Sequence, residues 1–145
     1  MRASERASTL LLFPAAVLVL MVLGAIAVDL GILSGARRDL IRSVGAAADD
    51  AAARLSVDRL RAGELGAIDL QEAHQQVLAD LALDGLPGSA VGTPRVALGP
   101  GADTIEVEVT RRIPHVFGRA VPGLPEDELV TVRLTGRLAD PPPAP

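Results

Sequence analysis

The chain has 145 residues, a net charge of −4 and no cysteine, and its only aromatic residues are Phe13 and Phe117. The missing cysteines exclude a disulfide scaffold and a thiolate metal site. The acidic balance and the near absence of aromatic rings argue against nucleic-acid binding, which needs a basic surface and rings that stack on bases.

The apolar residues are concentrated near the N-terminus. The 20 residues from Thr9 to Val28 carry no charge, and as a helix they would extend over about 30 Å, the thickness of the hydrocarbon core of a bilayer. Arg6 precedes this run and Asp29 follows it, and such charges are costly inside a bilayer. We therefore predict a short cytoplasmic tail (residues 1–8) and one transmembrane helix (residues 9–33).

The same segment also has the features of a cleavable secretory signal. Arg2 and Arg6 give it a basic start, and Ala25-Ile26-Ala27 has the small-x-small form of a cleavage site. Cleavage after Ala27 would release a small secreted binding module. The apolar stretch is at the upper length limit of a signal, and the residues after the site continue a helical pattern, so the retained anchor is the favoured interpretation.

Both interpretations export the remainder of the chain. Flanking charges do not fix the orientation, because arginines lie on both sides of the apolar run. Long domains are translocated largely regardless of such charges. We therefore expect a location in the cell membrane, with a cytoplasmic N-terminus and an extracytoplasmic domain over residues 34–140. Residues 141–145 form a proline-rich tail that we expect to be disordered.

A helical pattern continues beyond the apolar run and predicts a helix that extends from the membrane to near Arg61. Alanines, which have the highest helix propensity, dominate one of its faces. This face either packs on the chain's own domain or contacts another subunit. The apolar positions with helical spacing are Leu33, Leu40, Val44, Ala47, Ala51 and Leu55.

A second helix is predicted to begin after Asp69, which is a favourable N-cap and is followed by Glu72 three residues later. The helix should end near Asp84-Gly85, since glycine commonly follows the last helical turn. Its apolar face comprises Ala73, Val77, Leu78 and Leu81.

The hydropathy period then changes from 3.6 to 2, which is typical of strands. Candidate strands cover Arg95–Leu98, Thr104–Thr110 and Val130–Leu138. The outward faces of the second and third are acidic and basic, respectively, which favours their pairing. We predict an α+β fold with a long N-terminal helix, a second helix and a small three-stranded antiparallel sheet whose apolar face packs on the helices.

The segment Arg111–Glu128, between the last two strands, is too long for a tight hairpin turn. It is either a flap over one end of the core or an exposed apolar loop that docks on a partner or enters the membrane interface. The candidate partner-loop residues are Ile113, Val116, Phe117, Val121 and Leu124.

No residue pattern in the chain indicates catalysis. His74 and His115 lack the spacing of a metal or catalytic site, and the sequence has neither a nucleophile elbow nor a phosphate-binding glycine loop. We expect no enzymatic activity, metal, cofactor or small-molecule substrate, and the expected partners are the lipid bilayer and other proteins. Two roles are open for Asp29. Either it is simply the residue that reaches water at the end of the span, or it acts as an anchor that fixes the depth of the helix or pairs with an arginine of a neighbouring subunit.

Three short motifs stand in residues 1–55: AVDLG at 27–31, RRDL at 37–40 and AAADDAAA at 46–53. Together they resemble the N-terminal segment of TadE/TadG-like proteins, which take part in the assembly of bacterial Flp (Tad) pili. The resemblance implies a pilin-like architecture and a membrane-anchored, exported, non-enzymatic subunit, similar to a minor pilin or pseudopilin.

Small residues along a membrane helix allow a second helix to approach closely. The chain lacks the glycine before the apolar run and the glutamate within it that a prepilin peptidase reads in this family, which favours a membrane-held assembly subunit over a major filament subunit. The candidate helix-packing residues are Ala15, Ala16, Gly24, Ala25, Ala27 and Asp29.

Overall fold

The fold is α+β, as predicted. The computed structural model describes residues 3–56, 58, 61–63, 67–100, 103–118, 123 and 125–138, with side chains from Leu12 onward. Within the described ranges, two helices precede a four-stranded sheet, one strand more than predicted. The elements are α1 (Ala3–Ala52), α2 (Leu70–Leu83), β1 (Ser89–Ala90), β2 (Arg95–Leu98), β3 (Thr104–Pro114) and β4 (Asp127–Arg137).

The chain divides into two compact units. The first, which we call the helix–loop unit, comprises residues 1–34 and 114–128. The second, the sheet unit, comprises residues 35–113 and 129–145. Helix α1 contributes residues to both units, and the residues that link β3 to β4 belong to the helix–loop unit.

In the helix–loop unit, the apolar part of α1 is uncovered. The described residues include one helix long and apolar enough to cross a membrane, Leu12–Ala52, and its most apolar 18-residue window has a mean hydropathy of 2.7 and is 0% buried. Core helices of soluble proteins can have the same length and composition, but their apolar side chains are covered. A signal sequence near the N-terminus can also be this long and apolar. Leu12–Ala52 is therefore a candidate membrane span by length and composition.

In the sheet unit, α1 buries the face that its spacing predicts. Leu40 and Val44 are fully buried, and the small side chains of Ala47, Ala48 and Ala51 are covered as well. Alanine lets the strands lie close to the helix axis, because it projects only one methyl group. The other buried apolar residues among the described part of this unit are Ala36, Ala52, Ala67, Ile68, Ala73, Val77, Ile105, Val107, Val109, Ile113, Val130 and Val132.

Helix α1 ends at Ala52, so the prediction that it extends to near Arg61 was wrong. The residues that follow use their backbone groups in another way. The N–H of Ser56 donates to the carbonyl of Ala67 at 2.9 Å, and the N–H of Asp69 donates to the carbonyl of Arg54 at 2.8 Å. This short antiparallel contact satisfies backbone groups that a continued helix would have used internally.

Helix α2 has the predicted ends. The Asp69 carboxylate accepts hydrogen bonds from the N–H groups of Gln71 (2.9 Å) and Glu72 (3.1 Å), and so caps the first turn. Asp84 closes the last turn, and Gly85 follows with φ of +56°, a left-handed conformation that favours glycine. Two of the four predicted core residues, Ala73 and Val77, are buried; Leu81 is half-buried and Leu78 is exposed.

Strand β3 is the centre of the antiparallel sheet. It pairs with β4 and also with β1 and β2, which contact different stretches of it: Ala90 lies opposite Arg111, and Val96 lies opposite Val107. The alternation predicted for β3 is confirmed, because its apolar residues are buried between the more exposed glutamates.

Strand β3 extends to Pro114, four residues beyond its predicted end, and this corrects one of the candidate loop residues. Ile113 is only 4% exposed and belongs to the core of the sheet unit. The extension continues the same alternation, so Ile113 follows Val109 on the buried face. The segment available to a partner therefore begins after Pro114.

The predicted pairing of acidic and basic strand faces is also confirmed. Arg133 donates to the Glu108 carboxylate and lies 3.4 Å from Glu106, and Arg137 lies 2.9 Å from Asp103. The hydrogen bond that Arg133 donates to Glu108, together with the charges of Glu106 and Glu108, raises the pKa of Arg133 above its ordinary value. These pairs fix which residues of β3 and β4 face each other.

Gly136 of β4 is buried where the strand approaches the backbone of α1. A Cβ at this position would overlap the carbonyl group of Ala48 and the N–H of Asp49. Glycine is therefore required here by the close approach of two backbones. Gly45 of α1 differs, since a Cβ there would meet only Leu134 at 3.6 Å, an ordinary van der Waals distance.

Candidate functional site

Asp29 lies in α1 directly after the uncharged run, on the least exposed face of the helix–loop unit. Among α1 residues 12–34, only Ala25, Asp29 and Leu33 are half-buried, and the others are exposed. A spacing of four places these three residues on one side of a helix. This side is the one that meets the segment after β3.

Three successive backbone N–H groups of that segment donate to the Asp29 carboxylate. Val116 N–H lies 2.8 Å from Oδ1, Phe117 N–H lies 3.1 Å from Oδ1 and 3.2 Å from Oδ2, and Gly118 N–H lies 2.8 Å from Oδ2. We call this arrangement the Asp29 clamp. Consecutive N–H groups form a concave site for an anion, and hydrogen bonds to an ionised acceptor are stronger than those between neutral groups.

Two further contacts hold the residue that precedes the clamp. The N–H of His115 donates to the carbonyl of Glu126 at 3.0 Å, which ties the two ends of the segment together. The His115 Nδ1 lies 4.0 Å from Oδ2 of Asp29, and the side chain of Asp29 is only 12% exposed. A protonated imidazole at this position would add an electrostatic attraction to the clamp.

Gly118 allows the segment to turn closely around the carboxylate. A Cβ on this residue would lie 2.9 Å from the Cβ of His115 and 3.6 Å from Oδ2 of Asp29. The first distance is too short for two carbon atoms, and the Cβ of His115 cannot move without its backbone. Any larger residue at position 118 would therefore displace part of the clamp.

The clamp uses backbone atoms and leaves two apolar side chains exposed. Val116 is 56% exposed and Phe117 is 44% exposed, although their N–H groups are hydrogen-bonded to Asp29. Phe117 is one of only two aromatic residues in the chain. The clamp therefore presents apolar side chains at the point where the uncharged run of α1 ends.

The candidate partner-loop residues do not share one environment. Ile113 is in the core of the sheet unit, whereas Val116 and Phe117 lie in the clamp with exposed side chains. Val121 and Leu124 lie outside the described residues. Of the described candidates, Val116 and Phe117 are exposed and Ile113 is buried, and a role of the segment in partner binding stays a prediction.

The candidate helix-packing residues of α1 divide into half-buried and exposed positions. Ala25 and Asp29 lie on the side of the clamp, whereas Ala15, Ala16, Gly24 and Ala27 are exposed. Ala27 precedes Asp29 by two residues, about 200° around the helix, and so points away from the clamp. Among the residues that the structure describes, none would come within 4 Å of a Cβ placed on Gly24.

No pattern in the amino-acid sequence indicates the clamp itself. Asp29 and its donors are separated by 87 to 89 residues, and every non-proline residue carries an N–H group, so no side-chain pattern identifies the donors. The two sequence-based interpretations of Asp29 were exposure to water and a role in depth or subunit pairing. The observed partner is instead the backbone of the chain's own loop.

No group of three or more His, Cys, Asp or Glu side chains in the described ranges is arranged to hold a metal ion. No protein-family model matches the chain, and neither the curated proteins nor the solved structures contain a match to it. The functional interpretation therefore depends on the exposed apolar helix and the Asp29 clamp.

Proposed function

We propose that the chain is a membrane-anchored, non-enzymatic subunit of the TadE/TadG-like kind, acting as a minor pilin or assembly subunit of a bacterial Flp (Tad) pilus or a related secretion machine. The observation that carries the proposal is the uncovered apolar part of α1, whose most apolar window is 0% buried. A soluble monomer rarely exposes an apolar surface of this extent.

Lipid is the cover that suits this surface best. The exposed side chains are large aliphatic groups distributed on all sides of the helix, including Leu18, Leu20 and Leu23. Transfer of such a side chain from water to an apolar environment stabilises by about 1.5–3 kcal/mol. A protein partner would cover one side of the helix, whereas a bilayer covers every side at once.

Helix packing within the membrane would use the side of α1 that points away from the clamp. Ala16, Gly24 and Ala27 are exposed there, and small residues let two membrane helices come into backbone contact. Ala25 and Asp29 face the chain's own loop and are left out of this surface. The sheet unit would then supply the extracytoplasmic contacts with other subunits.

The alternative function is a secreted binding module released by cleavage after Ala27. Helix α1 is continuous through Ala25, Ala27 and Asp29, and this continuity favours the anchor. Intact-protein mass spectrometry of membrane and medium fractions separates the two functions. The anchor requires the full-length chain in a membrane fraction that resists alkaline extraction. A soluble form that begins at Val28 would reject it.

Orientation can be tested with single cysteines, because the chain has none of its own. Leu83→Cys places a thiol on a side chain that is 84% exposed at the end of α2. In intact cells, a membrane-impermeant maleimide should label Leu83→Cys but not Ser4→Cys. The reverse pattern would contradict the proposed topology, and labelling of both after permeabilisation is the control.

Subunit packing can be tested by disulfide cross-linking in membranes. Ala27→Cys lies on the proposed packing side of α1, and Ala25→Cys lies on the clamp side, so the two variants form a matched pair. We expect cross-linked species, with a copy of the chain or a cysteine-bearing pilus subunit, from Ala27→Cys only. Equal cross-linking of both variants would reject the assigned packing side.

Deletion of the gene should abolish pilus assembly or secretion in the producing cells.

A further inference from the structure

We propose that Val116 and Phe117 insert into the interfacial layer of the bilayer, and that the Asp29 clamp fixes them at this depth. The inference depends on the proposed function, since it requires α1 to be a membrane anchor. It assigns the chain a second membrane contact besides the helix, with lipid at the level of the headgroups and upper acyl chains as the partner.

The depth of the loop follows from the position of Asp29. Asp29 is the residue after Val28, the last of the uncharged run, and a helix rises only 1.5 Å per residue. The three loop N–H groups lie 2.8 to 3.2 Å from its carboxylate oxygens. If the uncharged run fills the hydrocarbon layer, the loop backbone lies at the boundary of that layer.

The clamp also removes the main obstacle to placing a loop there. Backbone N–H groups without partners are costly in an apolar environment, and so is an uncompensated carboxylate. In the clamp the N–H groups and the carboxylate are hydrogen-bonded to one another, because the three N–H groups donate to both oxygens of Asp29. The three N–H groups and the Asp29 carboxylate are thus paired within the chain, while the side chains of Val116 and Phe117 remain exposed.

The surface around the clamp is continuous with the lipid-facing surface of α1. Ile26 and Ile32 lie three residues before and after Asp29, on the same side of the helix, and both are exposed. Phenylalanine and aliphatic residues are typical of segments that enter the acyl boundary of a membrane. An apolar loop that adjoins an apolar membrane helix is therefore assigned to lipid rather than to a second copy of the chain.

The absence of tryptophan from the chain allows a direct test of depth. Full-length Phe117→Trp and, separately, Leu20→Trp are reconstituted in phosphatidylcholine vesicles whose acyl chains carry bromine at a shallow or a deep position. We expect stronger quenching of Phe117→Trp by the shallow bromine, with emission shifted to the blue, and stronger quenching of Leu20→Trp by the deep bromine. Val116→Trp should behave as Phe117→Trp does.

The outcomes separate the two proposals. If Leu20→Trp is quenched but neither loop tryptophan is, the loop does not contact lipid, and the inference fails while the anchor stands. Blue-shifted loop emission without quenching would indicate a protein cover instead and would also overturn the inference. If Leu20→Trp is not quenched by either lipid, the anchor fails and the loop assignment fails with it.

The role of the clamp is tested by combining Phe117→Trp with Asp29→Ala. Loss of the carboxylate removes the acceptor for three N–H groups, so we expect the shallow quenching to fall and the emission to shift to the red. Asp39→Ala is the matched control, because Asp39 is an exposed acidic residue of the same helix that accepts from Arg42. Unchanged quenching in the Asp29→Ala background would show that the clamp does not set the depth.

Discussion

The two units of the chain are stabilised in different ways, although one helix contributes to both. In the sheet unit, α1 presents Leu40, Val44 and a series of alanines to the strands, and these side chains are buried. In the helix–loop unit, its large aliphatic side chains are uncovered, and the loop is held by hydrogen bonds from its backbone to Asp29. Helical periodicity alone therefore does not tell which environment a helix face will meet.

Residue size distinguishes the two environments within α1. Where strands cover the helix, small side chains allow close packing, as the contact of Gly136 with Ala48 illustrates. Where lipid is the proposed cover, leucine, valine and methionine project freely, since a fluid solvent adapts to their shape. The comparison predicts that substitutions in the sheet unit change global stability, whereas substitutions in the helix–loop unit change local order and position.

The largest effect on the free energy of unfolding is expected for Leu40→Ala, because the Leu40 side chain of α1 is fully buried. Removal of a buried leucine side chain costs about 2–5 kcal/mol through lost transfer free energy and the cavity that remains. Hydrogen exchange of the β3 amides measures this loss as a free energy of unfolding. Leu83→Ala, at an exposed position, should change it by less than about 0.5 kcal/mol; similar losses in both variants would contradict the assigned core.

Gly136→Ala should destabilise the sheet unit by about 1–3 kcal/mol, since the added methyl group would force the backbones of β4 and α1 apart. The matched variant is Gly45→Ala, where the methyl group has room beside Leu134. That change should stabilise by roughly 0.5–1 kcal/mol through higher helix propensity. Opposite signs in the same exchange measurement are the expected result, and a neutral Gly136→Ala would refute the close approach.

Asp29→Ala should act on the loop and leave the sheet unit unchanged. The amides of Val116, Phe117 and Gly118 lose their acceptor, so their hydrogen exchange should become faster, while the β3 amides keep their protection. Gly118→Ala should have the same local effect, because its methyl group would displace His115. Asp39→Ala is the control, and retained protection at all three amides in Asp29→Ala would contradict the clamp.

The smallest effect is expected for Arg133→Gln on the outer face of the sheet. Arg133 is exposed, and ion pairs at exposed positions contribute little to stability and are screened by salt. At low ionic strength the free energy of unfolding of the variant should be only slightly below that of the parent, and added salt should remove this difference. A loss comparable to that of Leu40→Ala would show that the pairing with Glu108 organises the sheet.

Sequence patterns predicted the features that depend on neighbouring residues. The N-cap at Asp69, the end of α2 at Asp84 and the alternation of β3 all follow from local rules, and the structure confirms them. The end of α1 at Ala52 was missed, since the pairing of Leu55 with Ile68 competes with helix continuation. The two-residue strand β1 was missed because such a short segment carries no periodicity.

The candidate site was predicted only in parts. Asp29, Val116 and Phe117 were each singled out, for their charge or their apolar character, but in two separate groups. Their association depends on backbone donors distant in the sequence, and backbone donors leave no trace in side-chain patterns. The sequence predicts a loop at Ile113 because the charged Arg111 stands where the apolar alternation requires an apolar residue, and Pro114 follows; β3 continues through both.

The order of Asp29 and its donors along the chain has a consequence for biosynthesis. The carboxylate precedes Val116, Phe117 and Gly118 by 87 to 89 residues. At a ribosomal rate of about 5–20 residues per second, it would wait roughly 4–18 seconds before its partners exist. During that interval the Asp29 carboxylate lacks its loop donors, so the clamp can close only after Gly118 has been synthesised.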